Sequence, residues 1–151
     1  MYNWYKNNKV GVWFNDIPSV SIRFSLPSMT KEERKSVEKY PFICKKELGV
    51  LLEDYQKGKK YNFIIPKGYC YDGASIPRFF WRIIGANTDN RFLVPALIHD
   101  VLCEHHEYID YDRSFSTKIF DALLQTSGVS KIKRFLMKNS VASYQTLLCK
   151  W

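Results

Sequence analysis

The sequence predicts an α+β fold: N-terminal antiparallel strands followed by a C-terminal cluster of about four helices. Three observations predict it. Short β-branched and aromatic runs bounded by turn residues fill positions 1–66, with one helical excursion near 30–40. Positions 67–151 are mainly helical, because apolar residues there recur at a period near 3.6. No repeat, low-complexity tract or linker divides the 151 residues, so residues 1–151 read as a single domain of ordinary size.

The elements follow in order. Val10-Gly11-Val12-Trp13-Phe14 and Val20-Ser21-Ile22-Arg23-Phe24 are strand runs separated by a turn around Asp16 to Ser19. Two more strands are predicted over 49–53 and 61–65, joined by the turn Gln56-Lys57-Gly58-Lys59. Between the pairs, Thr30-Lys31-Glu32-Glu33 has a capping-box pattern. It opens a short charged helix over 31–39 that Pro41 ends, and its weak apolar face makes it a surface excursion. Ser75 caps a helix with Pro77 in its first turn, running to Gly85. Phe92, Leu93, Ala96, Leu97, Val101 and Leu102 give one broad apolar face to a helix over 91–105. Asp112 caps a third helix carrying Phe115, Ile119, Phe120, Leu123 and Leu124, which Gly128 closes. Ser130 caps a fourth, carrying Ile132, Phe135, Leu136, Tyr144, Leu147 and Leu148.

Composition excludes several classes. Hydrophobic residues are 46% and aromatics 16%, too apolar for a disordered chain. Cysteines 44, 70, 103 and 149 form no C-x-x-C and no zinc-ribbon spacing, so they are expected reduced and mostly buried. No apolar stretch is long enough to span a membrane, and the N-terminal M-Y-N-W-Y-K lacks the core of a signal peptide. A soluble protein made in the cytoplasm is expected. The formal net charge of +8 permits contact with nucleic acid, anionic lipid or an acidic protein. Lys131, Lys133, Arg134 and Lys138 begin the last helix, yet no nucleic-acid motif accompanies them. A solvated face, or docking onto an acidic partner, is the expectation there.

The stretch from Lys67 to Asp100 carries the candidate site. An aspartate-bearing turn, Asp72-Gly73, is followed within 30 residues by an apolar helix carrying His99-Asp100. Taken alone, Asp72 would bond nearby backbone N–H groups. Ser75 would cap a helix, since no G-x-S-x-G elbow surrounds it. His99 alone would be a satisfied core residue. Asp100 beside it, with Cys103 and His106 four and seven residues on, raises the functional reading. His99, Asp100, Cys103 and His106 are chemically suitable zinc donors, although three ligands on one helix at this spacing are strained and match no accepted motif. Calcium through Asp72, Asp100 and backbone carbonyls is the other metal considered.

Two motifs carry a resemblance. Ile65-Pro66-Lys67-Gly68-Tyr69, Asp72, Ala74-Ser75-Ile76-Pro77-Arg78 and Trp81 form the first, and Ala96, His99, Asp100 and Leu102 the second. From about Phe63 to Trp151 the chain resembles the phage and prophage family called domain of unknown function 1353. Cys103 stands where that family has Tyr. In the third motif, Arg113 to Phe120, Ser116 and Thr117 replace Ala-Asp. If the family's His and two Asp residues form one cluster, this chain lacks a carboxylate at Thr117, and Asp121 one turn on is the expected substitute. Otherwise Asp72, Ser75, Arg78, His99 and Asp100 form a buried polar network that fixes the turn on the helices.

The resemblance implies a phage context and two functions. The first is a virion or assembly accessory protein of tail, baseplate or neck, not an enzyme. It would bind other phage structural proteins, be made in the host cytoplasm and be built into the virion. Tyr2, Trp4 and Tyr5 would serve as its interface anchor. The alternative is a metal-dependent cell-envelope hydrolase, a peptidase or amidase, with His99, Asp100 and Asp72 as its catalytic centre and one divalent metal, zinc or calcium, as cofactor.

Overall fold

The computed structural model describes residues 2–73, 90–107 and 111–144, with side chains to residue 140. The predicted helix over 75–85, with Ser75, Pro77 and Arg78, lies outside the described residues, as do Cys149, Leu147 and Leu148.

The chain is α+β, with antiparallel strands first and helices after. Strands β1 (Tyr2–Lys6), β2 (Val10–Phe14), β5 (Leu48–Asp54) and β6 (Lys59–Ile65) form one antiparallel sheet in the order β1-β2-β5-β6. Strands β3 (Val20–Ile22), β4 (Phe42–Cys44) and β7 (Cys70–Tyr71) form a second sheet, β3-β4-β7. The turn after β2 therefore does not close a hairpin; it carries the chain from one sheet to the other. Strands β1, β4 and β7 were not predicted. Each is short or lacks a run of β-branched residues, so pairing with neighbours, not local pattern, makes it a strand.

Alternation builds the core. Val10, Val12 and Phe14 of β2 and Leu48, Val50 and Leu52 of β5 are buried on one face. The β5–β6 turn is fixed by Asp54, whose Oδ1 accepts the N–H groups of Gln56 (3.0 Å) and Lys57 (3.2 Å). Helix α1 (Lys31–Lys39) has the full capping box: Thr30 Oγ1 accepts from Glu33 N, and Glu33 Oε2 accepts from Thr30 N. Val37 is its only buried residue, so it is a surface helix as expected.

Helix α2 (Asn90–His105) is buried nearly all round, at Phe92, Pro95, Ala96, Leu97, Ile98, His99, Val101 and Leu102. A single apolar face was predicted; the helix is instead central, lying against both α3 and the β7 segment. Helix α3 (Arg113–Thr126) is capped by Asp112, whose side chain accepts from Phe115 N at 2.7 Å. It packs between α2 and strands β1 and β2. Helix α4 (Lys131–Tyr144) packs on α3. None of Cys44, Cys70 and Cys103 is in a disulfide. Burial, with Cys70 beside it, pushes the Cys44 thiol up to about 11.

Gly73 ends the second sheet where no side chain fits. Its φ is +86°, and a Cβ there would stand 2.4 Å from the fully buried Phe42 ring. Gly58 also has positive φ (+65°) but open space around it. Gly73→Ala is expected to cost about 2–4 kcal/mol, from left-handed strain plus overpacking, and Gly58→Ala only about 1–2 kcal/mol. Urea unfolding of the two variants side by side checks the difference.

Candidate functional site

Alternation along the β7 segment sets the site. Residues 69, 71 and 73 address one side, and α2 lies there. The Tyr69 hydroxyl donates to Glu104 Oε2 at 2.6 Å, the Tyr71 hydroxyl to the Leu93 carbonyl at 2.8 Å, and the Gly73 N–H to Asp100 Oδ2 at 3.3 Å. The Tyr69 and Tyr71 rings stack with centroids 6.5 Å apart, and Phe42 packs on Tyr71 at 5.4 Å. Burial raises both phenols well above their ordinary range, helped at Tyr69 by Glu104 and at Tyr71 by Cys44. Both therefore remain donors at any working pH.

This seam brings two predicted residues together. The Asp72 side chain, exposed at the rim, comes up to the Asp100 side chain, which is only 16% exposed. Two carboxyl groups this close share a hydrogen bond only when one carries a proton. Burial, then the Asp72 carboxyl, holds Asp100 well above the usual carboxylate range; the Gly73 N–H works the other way. Glu104, one turn on along the same helix stripe, adds a third carboxylate.

His99 stands apart from that bond. It is buried, and its ring packs on Phe120 of α3 with centroids 5.1 Å apart. Its Nδ1 lies 3.9 Å from Asp100 Oδ1, a charge contact too long for a hydrogen bond.

The predicted metal donors do not converge. Cys103 Sγ is 3.7 and 3.8 Å from the two ring nitrogens of His99. Near-equal distances take the sulfur off the in-plane axis of either nitrogen. His106 Nδ1 turns back to the Cys103 carbonyl at 2.7 Å. Among the described residues no group of three His, Cys, Asp or Glu side chains is placed to hold a metal ion. His99, Asp100, Cys103 and His106 are not gathered around one point and so do not fit a bound metal ion.

Asp121 does not substitute for the missing carboxylate. It bonds Arg134 Nε at 3.2 Å, with Lys138 Nζ at 3.8 Å, and so ties α3 to α4. Thr117 lines the same recess of about 330 Å³ and bonds its own helix at the Arg113 carbonyl, 3.1 Å away. The N-terminal aromatics also differ from expectation. Trp4 packs edge-on against Phe14 (5.3 Å), and the Tyr5 hydroxyl donates to Gln125 of α3 at 3.0 Å; only Tyr2 is largely exposed, at 64%.

Sequence reasoning missed Glu104 and gave no role to Tyr69, named in the first motif. Both had a signal: Glu104 is four residues beyond Asp100 on a helix, and Tyr69 is two before Tyr71 on an extended segment.

Comparison with known proteins places these residues in a family. The family described as "Protein of unknown function (DUF1353)" matches residues 50–141, which span the seam, the acid pair and α3. A protein of Sinorhizobium fredii (strain NBRC 101917 / NGR234), described as "Uncharacterized protein y4jT", is 35% identical over 80 residues. That match covers 53% of this chain and 23% of the relative, so the chain spans less than a quarter of that protein's length. No solved structure matches.

The raised Asp100 has a consequence for stability. The folded state holds its proton to higher pH than the unfolded chain does. Between the ordinary carboxylate value, about 4, and the raised one, folding takes up a proton, and stability falls as pH rises. Asp100→Asn keeps an acceptor for the Gly73 N–H and removes the buried charge. The variant is expected to unfold at higher urea than the parent at pH 8, by about 1 kcal/mol or more, and at nearly the same urea near pH 4.

Proposed function

We propose, for a chain that belongs to the DUF1353 family of proteins of unknown function, acid–base hydrolysis of an amide bond in a cell-envelope polymer. The Asp72–Asp100 pair carries this reading. A partly buried carboxyl pair costs stability at neutral pH. A network serving only to hold the turn would be better built from an amide or from apolar side chains. A carboxyl held well above its usual range close to a solvent rim is what acid–base catalysis requires.

The two groups divide the work by position. Asp72, at the rim, takes the proton of an attacking water. Asp100, behind it, gives its proton to the leaving amine, and the pair regains its starting state with one proton. The Gly73 N–H and the Tyr69–Glu104 bond hold the helix stripe and the turn in register. His99 acts as packing beneath Asp100, not as the base.

A second reading has its own support. Helix α4 exposes Ile132 (72%) and Phe135 (61%) beside Lys131 and Lys133, while Arg134 and Lys138 turn to Asp121 of α3. A basic, partly apolar face favours docking onto an acidic partner. This keeps alive an accessory role in a phage particle, made in the host cytoplasm and built into tail, baseplate or neck. Trp4 and Tyr5 pack partly on their own chain, which leaves Tyr2 as the exposed part of the anchor assigned to that role.

The test is release of free amines from soluble peptidoglycan fragments. Asp72→Asn and Asp100→Asn are each expected to lose about 100-fold or more in rate, with circular dichroism unchanged. The parent's rate should fall as pH rises through the raised Asp100 value, where its proton is lost. Hydrolysis that survives both substitutions, or a parent that releases nothing, ends this reading.

A further inference from the structure

A second concavity opens beside the acid pair. It lies between β6 and the C-terminal half of α2, with a volume of about 230 Å³. Phe63, Ile65, Val101, Leu102 and Tyr111 form its walls. Ile64, 64% exposed, and His105 stand at its mouth. An apolar cavity of about 150 Å³ accepts benzene, so this one takes a chain of six carbons or a ring with a short arm.

Its polar end is shared with the site already described. Tyr69 lines the pocket, and its hydroxyl reaches Glu104 at 2.6 Å. On α2, Val101 and His105 face the pocket while Asp100 and Glu104 occupy the adjacent stripe. The chain as a whole carries a formal charge of +8, yet the Tyr69 hydroxyl at this end bonds Glu104, and Asp100 and Asp72 act on the same phenol from behind it. A ligand whose apolar body fills the pocket would therefore bring its head to an acidic rim in an otherwise basic protein.

We infer that this pocket binds an apolar chain or ring ended by a primary ammonium group. Burial of the apolar part supplies attraction without direction. The carboxylates supply direction, because an ammonium is drawn to them and a carboxylate head repelled. The inference rests on the hydrolase reading only in what it adds to it: the substrate would be a peptide whose side chain is an alkyl chain ended by an amine.

The experiment is an NMR titration of the full chain with hexylamine, hexanol and hexanoate, which needs no turnover. Hexylamine is expected to bind in the millimolar range, at least about tenfold tighter than hexanoate, with hexanol between. Shifts should centre on Tyr69, Val101 and Leu102. Glu104→Gln, an exposed change that keeps an acceptor for Tyr69, should weaken hexylamine severalfold and leave hexanol unchanged. Val101→Phe, which fills the pocket, should weaken all three. Equal binding of hexylamine and hexanoate, or shifts that avoid Tyr69, overturns the inference. Selective hexylamine binding together with intact peptidoglycan fragments would uphold the pocket and sink the hydrolase reading.

Discussion

Three hydrogen bonds from one short extended segment to one helix set the register of the second sheet on α2. Tyr69, Tyr71 and the Gly73 N–H reach Glu104, Leu93 and Asp100 across the same seam. Each such bond contributes about 1 kcal/mol net, and those to a carboxylate roughly twice that. The fully buried Tyr71 and Phe42 rings add their apolar area beneath them. Strand β7 is only two residues long, so among the described residues these bonds and rings carry the contact of the second sheet with α2. Alternation sends Tyr69, Tyr71 and the Gly73 N–H to α2; Asp72 falls outside that alternation and meets Asp100 past the end of β7, where the chain turns at Gly73.

Much of this was legible in the residues. The caps at Thr30 and Asp112 and the turn around Gly58 are local devices, written in a few adjacent side chains, and they stand where predicted. The meeting of the Asp72 turn with the Asp100 helix was legible too, because a turn and an amphipathic run were the only places for those polar groups. What local pattern cannot carry is partner choice. Strands β1, β4 and β7 exist through neighbours distant in sequence. Asp121 was read toward the site because it is one turn from Thr117, but Arg134 of the next helix claims it. His99 and Cys103 share a helix face, as their spacing requires. Sharing a face does not aim two side chains at one point.

The acid pair and the apolar pocket are coupled through one side chain. Tyr69 lines the cavity, stacks on Tyr71 and donates to Glu104. Whatever enters the cavity meets a phenol that already senses all three carboxylates. Occupancy and proton affinity at Asp100 are therefore linked. A cationic head near the rim would lower the Asp100 value and loosen its proton, and by reciprocity a deprotonated pair would hold that head more tightly.

Pro95 lies inside α2 and cannot donate to the Arg91 carbonyl, so the first turn of this central helix is short of one internal tie. The Tyr71 hydroxyl lands on Leu93, within that weakened turn. The helix is thereby clamped from outside at the place where it is least able to hold itself. The first turns of α2 are anchored by a phenol belonging to a different part of the chain.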